Sequence, residues 1–469
     1  MPWRRTGAAT GRHDPERWAP RVAVVGGGVA GYSAASRLRR AFPKAEVHVY
    51  DRNRWHHYSA CGMTFALEGL FPLDRTVMQT PDECQAMGME VHEGVAVETV
   101  DPDARTLRLA GGREHPYDVL VLATGRRAFV PPVPGHDLPG VLTLSNYGDA
   151  ERVLELAAKA KRAVVVGGGA IGLETAVALR AGGAEVTVVE MLPHLLPQML
   201  DEDIARPVRA HLEARRIRVM TGSRVDGFVA GPGGGADAVE AGGERLPADL
   251  IVVAAGVRPE ASLADASGLD RGRTGGFATD PHLRVTRGGR PVEGSYAVGD
   301  CAEVRQAVTG RPTLSPLAST ALYEARSVAL HLLDGVHEHR PVVSPAVVVV
   351  GGLHAGSVGL TASAAGRAGL GPWAVTVKDL DRSRYFPGAG ELRLRLVGDS
   401  GGRLVGAQCV GPRDVKERMN LLAVAISEGL AAERLADVER AFSPAVQLLQ
   451  DPMLTALDEF VETARGLKG

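Results

Sequence analysis

The chain has 469 residues, more than one hydrophobic core usually fills, and its length calls for about two to four domains. Hydrophobic residues make up 45%, enough for globular packing, while a formal net charge of -2 excludes a generic polyanion-binding face and with it a nucleic-acid partner. No run approaches the ~18 consecutive apolar residues of a membrane-spanning helix, so no membrane association is expected.

Residues 1–20 are polar and rich in Arg and Pro. Arg4-Arg5 is followed by no apolar run, so the segment reads as a disordered extension rather than an export signal, and the chain as cytoplasmic. The four cysteines, Cys61, Cys84, Cys301 and Cys409, are scattered and form no Cys-x-x-Cys pair. That pattern is neither an obvious zinc site nor a secreted disulfide framework, and no metal is expected.

The first structured element is the apolar run Val22 to Val25, followed by Gly26, Gly28 and Gly31 in a Gly-x-Gly-x-x-Gly pattern. A helix-like stretch comes next, and then a second apolar run that ends in Asp51. The whole arrangement recurs: Ala163 to Val166, then Gly167, Gly169 and Gly172, then a run ending in Glu190. In this strand-turn-helix-strand context the glycines let the backbone approach a pyrophosphate at the helix amino end. The acid, about 20 residues on, meets a ribose 2′-hydroxyl. Two such sites point to a flavin and a nicotinamide exchanging electrons. Glu190 suits the free 2′-hydroxyl of NADH and would repel the 2′-phosphate of NADPH, although Arg258 nearby softens that preference and keeps NADPH as a second donor.

Between the fingerprints a loop carries Cys61, and β-rich sequence ends in Ala123-Thr124-Gly125. After the second, Gly231 to Gly235 reads as a hairpin tip, and an apolar strand leads to Gly256-Val257-Arg258-Pro259. A short run ending in Gly299-Asp300 can set a carboxylate against a sugar-alcohol hydroxyl, and a helix is expected from Ser315 to Leu333. Beyond it, strands are expected at Ala346 to Val350, Glu391 to Leu396 and Arg403 to Val410, with helices at Val415 to Glu428 and Ala431 to Ala441. The fold class is therefore α/β: two Rossmann-like units, for FAD and NAD, with an α+β tail. The expected boundaries are 21–140 with 270–335 for a discontinuous FAD unit, 141–269 for the NAD(P)H unit, and 336–469 for the tail.

The two fingerprints, Ala123-Thr124-Gly125, Gly256-Val257-Arg258-Pro259 and Tyr296-Ala297-Val298-Gly299-Asp300 occur in an order that resembles the pyridine nucleotide-disulfide oxidoreductases over about residues 21 to 469. Ser59-Ala60-Cys61-Gly62-Met63 resembles the single-cysteine branch, which holds coenzyme A-disulfide reductases and NADH oxidases and peroxidases. The resemblance implies FAD held by Gly26, Gly28, Gly31, Asp51, Thr124, Gly125 and Asp300, and NAD(P)H held by Gly167, Gly169, Gly172, Glu190 and Gly256. It also implies a homodimer formed through the C-terminal part, with Tyr385 of one subunit facing Cys61 of the other. Arg39 and Arg40 fall where relatives place basic residues that meet coenzyme A phosphates; on the residues alone they read as a solvated helix face.

With no neighbouring thiol, Cys61 has to store oxidising equivalents as a mixed disulfide or a sulfenic acid. The first outcome means a reductase of a small-thiol disulfide or persulfide, with coenzyme A disulfide, coenzyme A persulfide and polysulfide as candidates. The second means an NADH oxidase or peroxidase. A third reading is an electron-transfer flavoprotein serving a protein partner and leaving Cys61 idle. Val29 stands where the peroxidase branch has a histidine, which favours the reductase; Cys61-Gly62-Met63 followed by Leu67-Glu68-Gly69 looks more like the peroxidase loop. Phe442 stands at a tyrosine position of the coenzyme A-disulfide reductases and Val446 at an aromatic one, and Asp451-Pro452 is kept. Cys84, Cys301 and Cys409 read as buried structural thiols, and His56 and His57 as solvent-facing.

Overall fold

The computed structural model describes residues 13–54 and 57–467. Strand Arg21–Val25 lies inside a six-stranded sheet, paired in parallel with Glu46–Asp51 on one side and Val119–Leu122 on the other. Val22 to Val25 are buried in succession, so both faces of the strand are covered, which is why the run is continuously apolar rather than alternating. Met89–Glu93 adds the strand beyond Glu46–Asp51. After Val119–Leu122 the chain leaves this sheet and returns as the hairpin Arg284–Arg287 and Arg290–Ala297, where Ser295, Tyr296 and Ala297 pair in parallel with Leu120, Val121 and Leu122. That pairing delivers the Gly299-Asp300 turn to the carboxyl end of the sheet, beside the first glycine loop.

A second sheet of five parallel strands has the order Ile217–Met220, Glu185–Val189, Arg162–Val166, Leu250–Val253, Val141–Thr143. An antiparallel three-stranded sheet is attached, and Gly231 to Gly235 forms the turn between Val225–Ala230 and Ala236–Ala241. The C-terminal part is a five-stranded antiparallel sheet from Ala346–Val350 to Glu391–Gly398 and Leu404–Gly411. Its core sets Leu392, Leu394 and Leu396 against Met419, Leu422, Leu457 and Phe460 of two helices. The architecture is the mixed α/β fold expected, with two Rossmann-like units and an α+β tail.

Four expectations change. The N-terminal extension is not disordered where the structure describes it: Trp18 packs edge-on against Phe42 at 4.8 Å, and His13 stacks on Trp18 at 3.6 Å. Residues 1–12 of that expectation lie outside the described residues. The helix expected from 315 runs over Ala318–Asp334. The helix expected to reach Ala441 spans Ala432–Ala436, because Arg440 turns back and donates from Nη2 to the Leu435 carbonyl at 2.7 Å. A further helix, Pro452–Gly466, was not anticipated; Asp451 caps it by accepting from the Met453 amide at 2.8 Å, and Pro452 supplies the fixed φ of a first helical residue. Among the described residues no helix is long and apolar enough to cross a membrane.

One ion pair ties these C-terminal helices together. Arg418 and Asp451 are both almost wholly buried and joined through Nη2, and Arg418 Nη1 also donates to the Asp414 carbonyl at 3.1 Å. Breaking such a pair strands a charge in the interior, at a cost of about 3–5 kcal/mol. Arg418→Leu is therefore expected to lower unfolding stability in urea by that amount. A loss under about 1 kcal/mol would show that Asp451 finds other compensation.

Candidate active site

The site is built on two glycine loops whose backbones lie directly against a neighbouring strand. At Gly26 (φ 104°) an added Cβ would stand 2.2 Å from the Ala123 carbonyl oxygen, and at Gly31 it would stand 1.8 Å from the Gly26 carbonyl oxygen. Any side chain there would push helix Val29–Ala41 off the sheet. Gly28 differs: a Cβ would meet nothing within 4 Å, because this residue faces open space. The helix begins at Gly28 with no side-chain cap, so its first amides remain available to an anion. Asp51 locks the loop to its strand, accepting from the Gly27 and Asn53 amides at 2.8 Å each.

The second loop repeats this geometry. A Cβ on Gly167 (φ 119°) would approach the Ala254 carbonyl oxygen to 2.2 Å, and one on Gly172 the Gly167 carbonyl oxygen to 2.0 Å, whereas Gly169 faces open space. Glu190 accepts from the Gly168 amide at 2.6 Å and the Leu192 amide at 2.7 Å. In both loops the acid that would meet a ribose also braces the turn, and a bare backbone cradle remains for a pyrophosphate.

A cleft of about 540 Å3 opens from the first loop. Gly26, Gly28, Asp51, Thr124, Gly125 and Asp300 line it, and so does Cys61. Gly31 sits behind the loop as a packing residue. Gly167, Gly169, Gly172, Glu190 and Gly256 are not among the lining residues; they belong to the second sheet and its loops. The cleft runs past Asp51, Gly28, Asp300 and Cys61 in one continuous opening.

Cys61 is held by a short 3-10 turn, Ala60–Gly62, whose start is fixed by Ser59 Oγ accepting from the Gly62 amide at 3.2 Å. Its surface opens on the cleft. The walls strip solvent from the thiol and raise its pKa, while the Arg126 guanidinium pulls it down. Arg126 also pairs with Asp300 at 3.1 Å and partly offsets the upward push that burial gives that carboxyl. Sequence reasoning missed Arg126, since an arginine after Thr124-Gly125 carries no signal until Asp300 is brought opposite. It also missed Glu174. This residue lies on helix Ala170–Ala181 behind the second fingerprint and accepts from Thr64 Oγ1, three residues past Cys61, at 2.9 Å. Burial raises its pKa to about 7. A third buried acid, Glu324, accepts from the Gly299 amide, and burial raises it to about 8.

Cys84, Cys301 and Cys409 are buried in hydrophobic cores, where loss of solvent raises the Cys84 and Cys301 thiols to about 11 and Cys409 to about 12. Arg39 and Arg40 occupy the last turn of their helix, away from the cleft; Arg39 donates to the Pro43 carbonyl and Arg40 to the Ser36 carbonyl at 3.1 Å. Tyr385 is 71% exposed beside Phe386, on a loop between the strands Trp373–Leu380 and Glu391–Gly398. The base of that loop is held by Arg413 donating to buried Asp381 at 2.9 Å. Phe442 and Val446 are exposed as well. His57 is not solvent-facing: it is half-buried and stacks on Tyr32 at 3.7 Å, because the chain folds back over that helix. His56 lies outside the described residues.

Two dinucleotide cradles on separate sheets, with a lone accessible thiol beside the first, define a flavin- and nicotinamide-dependent oxidoreductase. Residues 20–325 match the family model for pyridine nucleotide-disulphide oxidoreductase, and residues 345–448 match the dimerisation domain of that family. A relative from Methanocaldococcus jannaschii described as an NADH oxidase is 33% identical, covering 94% of this chain and 98% of its own. A relative from Pyrococcus horikoshii described as an NAD(P)H coenzyme A polysulfide/persulfide reductase is 30% identical, again covering 94% of this chain and 98% of its own. Among solved structures, a NAD-dependent persulfide reductase from A. fulgidus superposes with a TM-score of 0.90 at 32% identity, over 95% of this chain and 84% of that one. The chain belongs to the pyridine nucleotide-disulphide oxidoreductase family; it is an FAD-dependent enzyme that draws electrons from NAD(P)H.

Glu174 gives this site a pH signature. Its pKa is about 7 in the folded chain against an ordinary 4.5, so the fold favours the protonated form. The stabilisation is complete below pH 4.5 and is lost as pH rises through about 7, a change of about 3 kcal/mol. Glu174→Gln mimics the protonated carboxyl and removes this dependence. In urea titrations of the flavin-loaded protein, the variant is expected to gain stability relative to the parent between pH 5 and pH 8. An unchanged difference across that range would contradict the assignment.

Proposed function

We propose that the enzyme reduces the disulfide or persulfide of a small thiol, coenzyme A being the first candidate, through Cys61 as its single redox thiol. One observation carries this reading: Cys61 opens on the cleft, while Cys84, Cys301 and Cys409 are sealed in cores. An accessible thiol without a partner thiol exchanges with an external one. Relatives described as an NAD(P)H coenzyme A polysulfide/persulfide reductase and as a CoA-dependent NAD(P)H sulfur oxidoreductase support the substrate class.

Bound flavin supplies two-electron transfer between the nicotinamide and a sulfur centre. The residues do the rest. Gly26 and Gly28 seat the pyrophosphate, Asp51 binds the adenosine ribose and Asp300 the ribityl chain. Gly167, Gly169 and Glu190 seat the nicotinamide cofactor, with Gly256 at its edge, and the Glu190 carboxylate favours NADH over NADPH. Cys61 acts as thiolate and attacks the carbon-bound sulfur of a persulfide, breaking the S–S bond and releasing hydrosulfide. Two electrons that originate on the nicotinamide, with one proton, then cleave the mixed disulfide and return the Cys61 thiolate and free thiol. The Arg126 guanidinium favours the thiolate in both steps.

Arg39 and Arg40 stand about 15 Å along their helix from the glycine loop. A substrate with a long arm between its thiol and its phosphates, such as coenzyme A, suits a thiol in the cleft and basic groups outside it. A homodimer formed through the C-terminal part would bring the exposed Tyr385 of one subunit to Cys61 of the other. The second reading is an NADH oxidase or peroxidase, favoured by the Methanocaldococcus jannaschii relative. There Cys61 would cycle through a sulfenic acid.

The test is NADH consumption by the parent and by Cys61→Ser with coenzyme A persulfide, coenzyme A disulfide, peroxide and oxygen in parallel, repeated with NADPH. We expect the thiol substrates to be turned over fastest, with kcat/KM higher for NADH. Cys61→Ser should keep its FAD and its reduction by NADH and lose at least about 1000-fold in thiol-substrate turnover, because serine cannot enter thiol exchange. Faster turnover with peroxide or oxygen would install the second reading. Retained thiol turnover in Cys61→Ser would overturn both.

A further inference from the structure

Away from the cleft lining, histidines converge on one face of the first sheet. Strands Glu46–Asp51 and Met89–Glu93 pair in parallel with His48 opposite Glu90 and Tyr50 opposite His92. Residues two apart on a strand share a face, so all four side chains emerge on the same side. Tyr50 packs there among Val100, Leu107 and Leu109 of a three-stranded sheet, which also brings in His115 from strand Glu114–Pro116.

The donor atoms form a triangle. His48 Nδ1 is 3.1 Å from His92 Nε2, and the Glu90 carboxylate oxygens lie 3.5 Å from His48 Nδ1 and 3.6 Å from His92 Nε2. One ligand atom from each of the three residues can be chosen with all of them within 4.8 Å of one another. The 3.5 Å and 3.6 Å contacts use different oxygens of the one carboxylate; a tetrahedral zinc-type ion with bonds of about 2.0–2.1 Å holds its ligand atoms roughly 3.3–3.4 Å apart, close to the nearest separations of these three side chains. A hydrogen bond between two imidazoles would explain the shortest edge alone. It would not explain the exposed carboxylate turned toward both imidazoles.

We infer that His48, Glu90 and His92 form a binding site for one divalent ion of the zinc class. Two imidazole nitrogens and a carboxylate oxygen are a donor set such ions take, and the fourth position falls to water. The two histidines are 18% and 20% exposed and Glu90 is 61% exposed, so the ion enters past the carboxylate. The Tyr50 ring stacks flat on His92 at 4.6 Å and holds its plane. Tyr50 is followed by Asp51, the acid that braces the first glycine loop. The ion thus cross-links two strands next to the adenosine end of the cleft; its role is structural and independent of what Cys61 reduces.

The test uses the flavin-loaded full chain, treated with chelator and titrated with Zn2+ by equilibrium dialysis. We expect one ion per chain, a rise in Tm on binding, and affinity weakened at least about 100-fold in the double variant His48→Gln, His92→Gln, beyond the loss that follows removal of an outer-shell partner. The exposed His136→Gln, a control for adventitious binding by surface histidines, should bind as the parent does. Flavin content of the variants reports their folding. Should the double variant lose its flavin, parent crystals soaked in Zn2+ decide, with an anomalous peak expected between His48 Nδ1 and His92 Nε2. Undiminished binding by a folded double variant, or anomalous density confined to other places, would mean an adventitious ion only and overturn the site.

Discussion

The molecule depends on two places where a glycine is laid on the carbonyl of an adjoining strand, Gly26 on Ala123 and Gly167 on Ala254. A Cβ at either would stand 2.2 Å from that oxygen. The contact lets a helix start flush with the carboxyl end of its sheet, and it leaves Gly28 and Gly169 with open space above them. A pyrophosphate needs that combination of helix amides and absent side chains. Asp51 and Glu190 then brace the loops they would serve, each through a backbone amide of its own turn. Packing and ligand recognition are thus one constraint, met twice in the chain.

Around the first cradle the second theme is buried charge. Burial lifts Glu174 to about 7 and Glu324 to about 8, and pushes Asp300 and Cys61 upward too. Arg126 opposes that rise at both Asp300 and Cys61. Glu174 and Glu324 thus change protonation near neutrality next to the segments that carry Cys61 and Asp300. Thr64 links Glu174 to the segment that carries Cys61, so helix Ala170–Ala181 and the Cys61 loop share one hydrogen bond.

What the sequence disclosed was local. Each fingerprint, its flanking apolar runs and its acid lie within one βαβ unit, and the hairpin at Gly231 to Gly235 is a contiguous turn signal. What it concealed depends on distant pairing. Arg126 acquires its role only when the return strand Arg290–Ala297 brings Asp300 opposite, and His48, Glu90 and His92 align only once two strands register. Helix ends failed for another reason: Asp437 and Val438 are weak helix formers, and Arg440 bonds back to the Leu435 carbonyl at the helix end. The Asp451-Pro452 start signal was on the chain and went unread as a cap.

The central claim is that Cys61 alone exchanges with the substrate thiol. The most direct measurement is non-reducing mass spectrometry of the oxidised enzyme after incubation with coenzyme A disulfide in the absence of NADH. One coenzyme A adduct per chain is expected, located on the peptide that carries Cys61 and removed on adding NADH. An unmodified Cys61, or an adduct on Cys84, Cys301 or Cys409, would contradict it.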